Sequence, residues 1–134
     1  LSGVPTVVKA FGAADKELAC RFFSVPGPED IALGAARRLF TAYATVPVYS
    51  DFLRWLGWAD VVDPVAEAWA SGDRKQALDL VPEALLRETF LFGPYEGQRE
   101  RLAAFADAGI TTAVIVLMVP PPELASGIEA FAPG

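Results

Sequence analysis

An uninterrupted apolar segment near the carboxyl end of the chain most constrains how it can fold. Residues 112 to 119 read Thr-Ala-Val-Ile-Val-Leu-Met-Val, without a charge, between Gly109 and three prolines at positions 120 to 122. So short a run of β-branched and apolar residues predicts a strand. Because polar residues do not alternate within it, we expect both faces of the strand to be buried, as in the parallel sheets of α/β proteins.

A second segment has the same character. Residues 18 to 25 read Leu-Ala-Cys-Arg-Phe-Phe-Ser-Val and stop at Pro26-Gly27-Pro28. They predict another strand covered on both faces, and two such strands joined through helices predict a parallel pair. Two strands do not form a stable sheet in water, so we expect another segment, chain or copy to complete it.

Helical signals dominate the rest of the chain and predict six to eight helices. Pro5 stands in the first turn of the first one, and Pro28 with two carboxylates opens a second that Pro47 closes. Asp73 is predicted to be an N-cap. The remaining helices are expected at about residues 52–58, 60–71, 74–81, 82–90, 94–109 and 123–131.

Composition narrows the possible functions. The 134 residues carry a net charge of −6, which argues against nucleic acid or an anionic membrane as partner. The chain contains no histidine and one cysteine, Cys20, so it can form neither a Ser-His-Asp triad nor an intrachain disulfide, and we expect no metal site. No signal peptide or apolar run of membrane-spanning length is present, and we expect a cytoplasmic protein.

Several short blocks follow one another along the chain. They are residues 21–25 (RFFSV), 35–40 (AARRLF), 46–49 (VPVY), 52–57 (FLRWLG), 66–69 (AEAW), 72–74 (GDR), 92–94 (FGP), 99–102 (RERL) and 108–112 (AGITT). In this order and spacing they resemble the bacterial luciferase-like monooxygenase family. Its members are oxidoreductases that use flavin mononucleotide (FMN) or the deazaflavin coenzyme F-420 on a (β/α)8 TIM barrel.

The resemblance implies that residues 1–134 form a single partial domain, the helix-rich C-terminal part of such a barrel with two buried parallel strands. It implies FMN or coenzyme F-420 as cofactor, and hydride transfer or monooxygenation of a small organic substrate. A whole barrel needs about 250 residues, so the remainder of the barrel would be a partner. The family's main ring-binding and catalytic residues lie in that remainder, and no catalytic residue is assigned. The sequence departs from the family after Gly93, where Pro94-Tyr95-Glu96-Gly97 replaces the usual Pro-Glu-Glu.

Six residues are candidates for a site at the carboxyl ends of the strands, where barrels bind ligands. Arg21, Ser24 and Gly93 are the cofactor-binding candidates, since an arginine in an apolar strand and a helix N-terminus both suit a phosphate. The alternatives are a buried salt bridge for Arg21 and a simple helix start at Gly93. Phe23, Tyr49 and Trp55 are the substrate-pocket candidates, with core packing as the alternative.

Two other functions stay open. Uncovered sheet edges and apolar faces are also compatible with a non-catalytic scaffold module that pairs with a second copy of itself, and a homo-oligomer is expected. A helical interaction domain without redox ancestry is the third reading, against which the apolar run at 112–119 argues.

Overall fold

The computed structural model describes residues 3–12 and 16–132, and these form an α/β protein. Eight α-helices and three strands lie in the described part of the chain. The helices are α1 (Val4–Phe11), α2 (Glu29–Ala44), α3 (Pro47–Trp55), α4 (Ala59–Ala70), α5 (Arg74–Asp79), α6 (Glu83–Thr89), α7 (Tyr95–Asp107) and α8 (Leu124–Phe131); a 3-10 turn (Pro121–Glu123) precedes α8. The strands are β1 (Ala19–Val25), β2 (Phe90–Phe92) and β3 (Thr112–Leu117).

The strands form one open parallel sheet in the order β2-β1-β3. Phe23 of the central strand lies opposite Phe90 on one side and Val116 on the other. The expected parallel α/β arrangement is confirmed, but the expectation of two strands is wrong. The helix expected at about residues 82–90 takes in Phe90, and no strand is predicted at Phe90–Phe92, because three residues are too few to show a strand period. They form a strand because their backbone pairs in parallel with Phe23–Val25 of β1.

The chain divides into two compact units. The first lies within Leu1–Ala32 and Arg87–Gly134, and the second within Leu33–Leu86. The first contains the sheet with α1, α7 and α8, and the second contains α3, α4 and α5. Helices α2 and α6 each contribute residues to both units.

In the first unit, apolar side chains join one face of the sheet to helices. Phe22 and Leu91 pack with Phe105 of α7 and Val4 of α1, and the rings of Phe22 and Phe105 are 4.8 Å apart. Strand side chains alternate between faces, so Phe22 and Ser24 share this helix-covered face while Arg21 and Phe23 lie on the opposite face. Helix α8 packs on α7, where Arg99 donates a hydrogen bond to the carbonyl of Ala130 at 2.8 Å.

The prediction that both strands are buried on both faces is wrong. Strand β3 lies at the sheet edge and contains no buried residue, and Val114 is 47% exposed. Arg21, expected inside an apolar strand, is exposed on β1. Arg21 lies opposite Val114 in the register of β1 and β3, so both side chains project from the face opposite the one that packs on α1 and α7, and an apolar strand sequence does not guarantee that both faces are covered.

The second unit is a helical layer. Val62, Val65 and Ala68 of α4 are buried, as is Ala77 of α5. Asp73 accepts a hydrogen bond from the Gln76 backbone N–H at 2.9 Å, which confirms the predicted N-cap. Pro47, expected to close α2, is instead the first residue of α3, where a missing N–H costs nothing.

No helix among the described residues has the length and apolar content that crossing a bilayer requires. Nor do they contain a group of three or more cysteine and carboxylate side chains placed to hold a metal ion.

Candidate functional site at the carboxyl edge of the sheet

The three parallel strands end at one edge of the sheet in the first unit. Strand β1 ends at Val25, β2 at Phe92 and β3 at Leu117. Each is followed by a turn that contains proline, at Pro26, Pro94 and Pro120. Ligands of open α/β sheets bind outside this edge, so it is the natural place to look for a site.

A buried hydrogen-bonded bridge supports this edge. The Ser24 hydroxyl donates to Oε1 of Gln98 at 2.6 Å, and Nε2 of Gln98 donates to the carbonyl of Gly93 at 2.8 Å. Ser24 is 0% exposed and Gln98 is 1% exposed. The bridge ties the end of the central strand to the turn between β2 and α7, and each of these buried polar groups has a partner.

The turn that the bridge holds leads into the first turn of α7. Gly93 has φ of 80°, a left-handed conformation that side chains disfavour. No side chain caps the helix at Pro94, and the first intrahelical bond runs from the Gln98 N–H to the Pro94 carbonyl at 3.1 Å. Apart from neighbouring residues of the chain, no heavy atom lies within 4 Å of the place where a Cβ would stand at Gly93 or Gly97, so there is open space beside the backbone at both positions.

Arg101 supports β2 from α7. Its Nη1 donates to the Phe90 carbonyl at 3.1 Å, and its guanidinium lies 5.9 Å from the centre of the Phe105 ring. Partial burial lowers the pKa of Arg101 from its usual value, while the carboxylate of Glu88 raises it. The guanidinium thus has a hydrogen-bonding and packing role within the unit.

Arg21 and Phe23 lie side by side on the opposite face of β1. The Arg21 guanidinium is 5.1 Å from the centre of the Phe23 ring, within the range of a cation–π contact. The Phe23 ring in turn packs against Phe90 at 5.6 Å. Because Arg21 is exposed, β1 accommodates the arginine without burying its charge, and the Phe23 ring packs beside the guanidinium.

The structure brings some of the predicted site residues together and separates others. Ser24 and Gly93 are joined through Gln98, whereas Arg21 and Phe23 lie on the other face of the strand. Tyr49 and Trp55 belong to the second unit, where they are 40% and 49% exposed on α3. The assignment of all six residues to cofactor or substrate stays a prediction.

Sequence reasoning missed Gln98, although a signal for it was present. Gln98, Leu102 and Phe105 recur at i, i+4 and i+7, so a polar residue occupies the core-facing stripe of α7. A glutamine there must find buried partners, and Ser24 and Gly93 supply them.

Comparison with known proteins finds a partial sequence similarity. The chain is 28% identical over 67 residues to a Mycobacterium tuberculosis protein that carries the provisional name of coenzyme F-420-dependent oxidoreductase. The match covers 50% of this chain and 19% of the relative, so this chain spans about a fifth of that relative's length. No protein-family model matches the chain, and no solved structure matches it.

Proposed function

We propose that this chain is the C-terminal part of a luciferase-like oxidoreductase that uses coenzyme F-420 or FMN to transfer hydride to or from a small organic substrate. The observation that carries the proposal is the 28% identity over 67 residues to an oxidoreductase named for coenzyme F-420. The all-parallel sheet supports it, because parallel strands connected through helices are the repeating unit of a (β/α)8 barrel.

The exposed apolar side of the first unit supports the proposal that this chain is part of a larger protein. Within residues 3–12 and 16–132 the sheet has no strand beyond β3, and Val114 is 47% exposed. On α8, which packs on β3 and α7, Leu124 is 39% and Ile128 63% exposed. An uncharged strand edge and a helix with exposed apolar residues suit the addition of a further strand and helix, which the remainder of the barrel would provide.

The carboxyl edge of the sheet fits one part of either cofactor, its phosphate. The first-turn N–H groups of α7 have no side-chain cap, and the accessible backbone at Gly93 and Gly97 lets an anion approach. In the proposal, Gly93 and the following turn hold the phosphate, Ser24 supports that turn through Gln98, and Arg21 offers a positive charge on the other face of β1. When bound, the flavin or deazaflavin ring supplies the hydride chemistry. This chain's residues orient it, and Phe23 faces the substrate.

The test is to express the complete reading frame to which this chain belongs and to titrate it with F-420 and with FMN, following cofactor fluorescence. We expect one of the two to bind, and Gly93→Val to weaken that binding more than Gly72→Val, a matched glycine with positive φ in the second unit. Native mass spectrometry of the same sample gives the mass of the assembled protein. A protein of only these 134 residues that binds neither cofactor overturns the proposal.

The exposed edge of β3 also favours a second candidate, a scaffold module that pairs with a copy of itself. Thr112–Leu117 contains no charge or proline that would oppose strand pairing. A stable dimer of the 134-residue chain in native mass spectrometry, together with no cofactor binding, supports this function over the first.

A further inference from the structure

The order of the three strands in the sheet differs from their order along the chain. Strand β2 pairs with one side of β1 and β3 pairs with the other side. The connection from β1 therefore leads one way along the sheet, and the connection from β2 leads back across β1. The direction reverses between β1 and β3, and in open α/β sheets ligands bind at such a switch point, in the crevice outside the carboxyl ends of the strands.

The handedness of the connections opens a crevice between β1 and β3. Helix α7, which leads from β2 to β3, packs on the face of the sheet that carries Phe22, and α8 follows β3 on the same face, where Gly127 lies against Leu117. Right-handed crossovers that run in opposite directions along a parallel sheet lie on opposite faces. The chain thus leaves β1 towards one face and leaves β3 towards the other, so the two turns diverge.

Backbone pairing defines the base of the crevice. Ser24 lies opposite Leu117, and the Met118 N–H donates a hydrogen bond to the Ser24 carbonyl at 2.9 Å. Beyond this bond the walls are residues 26–28 after β1 and residues 118–122 after β3. The Gly93 turn follows β2 on the other side of β1, so the crevice is separate from the position proposed for a phosphate.

Both walls are apolar and poor in hydrogen-bond donors. The first wall is Pro26-Gly27-Pro28, and the second is Met118-Val119 followed by three prolines. Five of these eight residues are prolines, which have no N–H to offer to an anion. The side chains of Met118 and Val119 are half-buried, so part of each is open to a ligand.

Charge at the entrance to the crevice also disfavours an anion. Neither wall contains a lysine or an arginine. Helix α2, which follows the first wall, begins with Glu29 and Asp30, and Arg87 pairs with Glu29. A phosphate or carboxylate would meet the remaining negative charge without a cation to bind it, whereas an uncharged ligand would not be repelled.

We propose that the crevice between β1 and β3 binds a small uncharged aromatic molecule. Its ring lies between the two turns and packs on Val119, and the thioether of Met118 supplies the polarisable contact that sulfur makes with a ring. The inference goes beyond the redox proposal, because it depends on the strand order and on the polarity of the two turns and not on the identity of a cofactor.

The test follows the methyl group of Met118 by NMR in protein that contains carbon-13 methyl-labelled methionine. Met118 is the only methionine in the sequence, and Met118→Leu identifies its signal. Indole, an uncharged aromatic probe, should shift this signal in a saturable way at millimolar concentration. Indole-3-carboxylate, which has the same ring and a negative charge, should cause no saturable shift.

Two matched variants locate the site. Val119→Glu adds a carboxylate to one wall and should weaken the binding of indole about tenfold, because the ring would desolvate the charge. Val114→Glu adds the same charge to an exposed position of β3 about 16 Å away along the strand, and should leave binding unchanged. If circular dichroism shows that Val119→Glu unfolds the protein, Val119→Thr replaces it and should weaken binding about threefold.

Three results overturn the proposal. The first is the absence of a saturable shift of the Met118 signal with indole. The second is equal affinity for indole and indole-3-carboxylate, which would show that charge does not select the ligand. The third is an equal effect of the substitutions at Val119 and Val114, whether both weaken binding or neither does, which would place the bound indole elsewhere.

Discussion

The hydroxyl of Ser24, at the end of the central strand, donates a hydrogen bond of 2.6 Å to the side-chain amide of Gln98 on helix α7. Neither residue is more than 1% exposed, and the same amide holds the carbonyl of Gly93. The single glutamine therefore connects a strand, a turn and a helix at the edge of the sheet where the proposed cofactor phosphate would lie.

Replacing Gln98 by leucine should destabilise the protein by about 1–3 kcal/mol, because Ser24 and Gly93 would keep their buried polar groups without partners. Ser24→Ala should cost less, since it removes the hydroxyl and leaves only part of the amide unpaired. Urea unfolding of both single variants and of the double variant measures the coupling between the two side chains. Additive effects would contradict the role of the bridge, since residues in one hydrogen-bonded network should couple by at least about 0.5 kcal/mol.

The contrast between Asp73 and Phe90 illustrates how far the sequence predicts this fold. Asp73 caps α5 through a bond to the backbone three residues away, a local interaction that the sequence displays directly. Phe90–Phe92 forms a strand only because it pairs in parallel with Phe23–Val25, more than 60 residues earlier in the chain. Three residues give too short a pattern to reveal so distant a partner.

The same limit applies to the candidate site. The convergence of strand ends follows from the parallel arrangement, which the apolar runs predicted. The burial of the strands could not be predicted in the same way. Arg21 and Val114 lie opposite each other on one face of the sheet, and their exposure depends on which elements cover that face. The exposure of the apolar residues of α3 was likewise hidden, because it depends on which elements pack against that helix.

Replacing either of two glycines near the start of α7 by alanine should change the stability of the protein, but in opposite directions. Gly97 lies inside the helix with open space around its Cβ position, so Gly97→Ala should stabilise the protein by about 0.5–1 kcal/mol. Gly93 has φ of 80°, and Gly93→Ala should destabilise it by about 1–2 kcal/mol because the Cβ disfavours that conformation. Thermal unfolding compares the two. Stabilisation by both substitutions would show that the left-handed conformation of Gly93 is not required, and destabilisation by both would contradict the expectation for Gly97.

Removing the N-cap of α5 should destabilise the protein more than removing a surface ion pair of the same helix. Asp73→Ala loses a hydrogen bond to the Gln76 N–H and should cost about 1 kcal/mol. Asp79→Ala loses an exposed pair with Lys75, at 2.5 Å, and should cost at most about 0.5 kcal/mol. Both variants remove one carboxylate from α5 or its cap, so their difference in urea unfolding isolates the cap. Equal costs would mean that Asp73 acts only through its charge.

A charge on the exposed edge strand should reduce self-association without unfolding the chain. Val114 is 47% exposed on β3, so Val114→Lys should change the free energy of unfolding by no more than about 0.5 kcal/mol. Lysine on an edge strand opposes pairing with another strand. Light scattering of the 134-residue chain across a concentration series should therefore show less association for Val114→Lys than for Val114→Thr, which keeps the strand uncharged. Identical association of the two variants would place the contact elsewhere.

The single thiol should make the protein less stable at alkaline pH. Burial raises the pKa of the half-buried Cys20 above its ordinary value of 9.0, since desolvation disfavours the thiolate. Above about pH 9 the unfolded chain then loses its thiol proton while the folded chain retains it, so the free energy of unfolding falls as pH rises.

Urea unfolding at pH 8 and pH 10 should accordingly show a larger decrease for the native sequence than for Cys20→Ala, in which no thiol titrates. The tyrosines and lysines are common to both proteins, so their titration cancels in the comparison. The same burial predicts slow reaction of Cys20 with a disulfide reagent at pH 8, where denaturant should restore the rate of an exposed thiol. A steeper decrease in the alanine variant would mean that the folded protein stabilises the thiolate, contrary to the burial of Cys20.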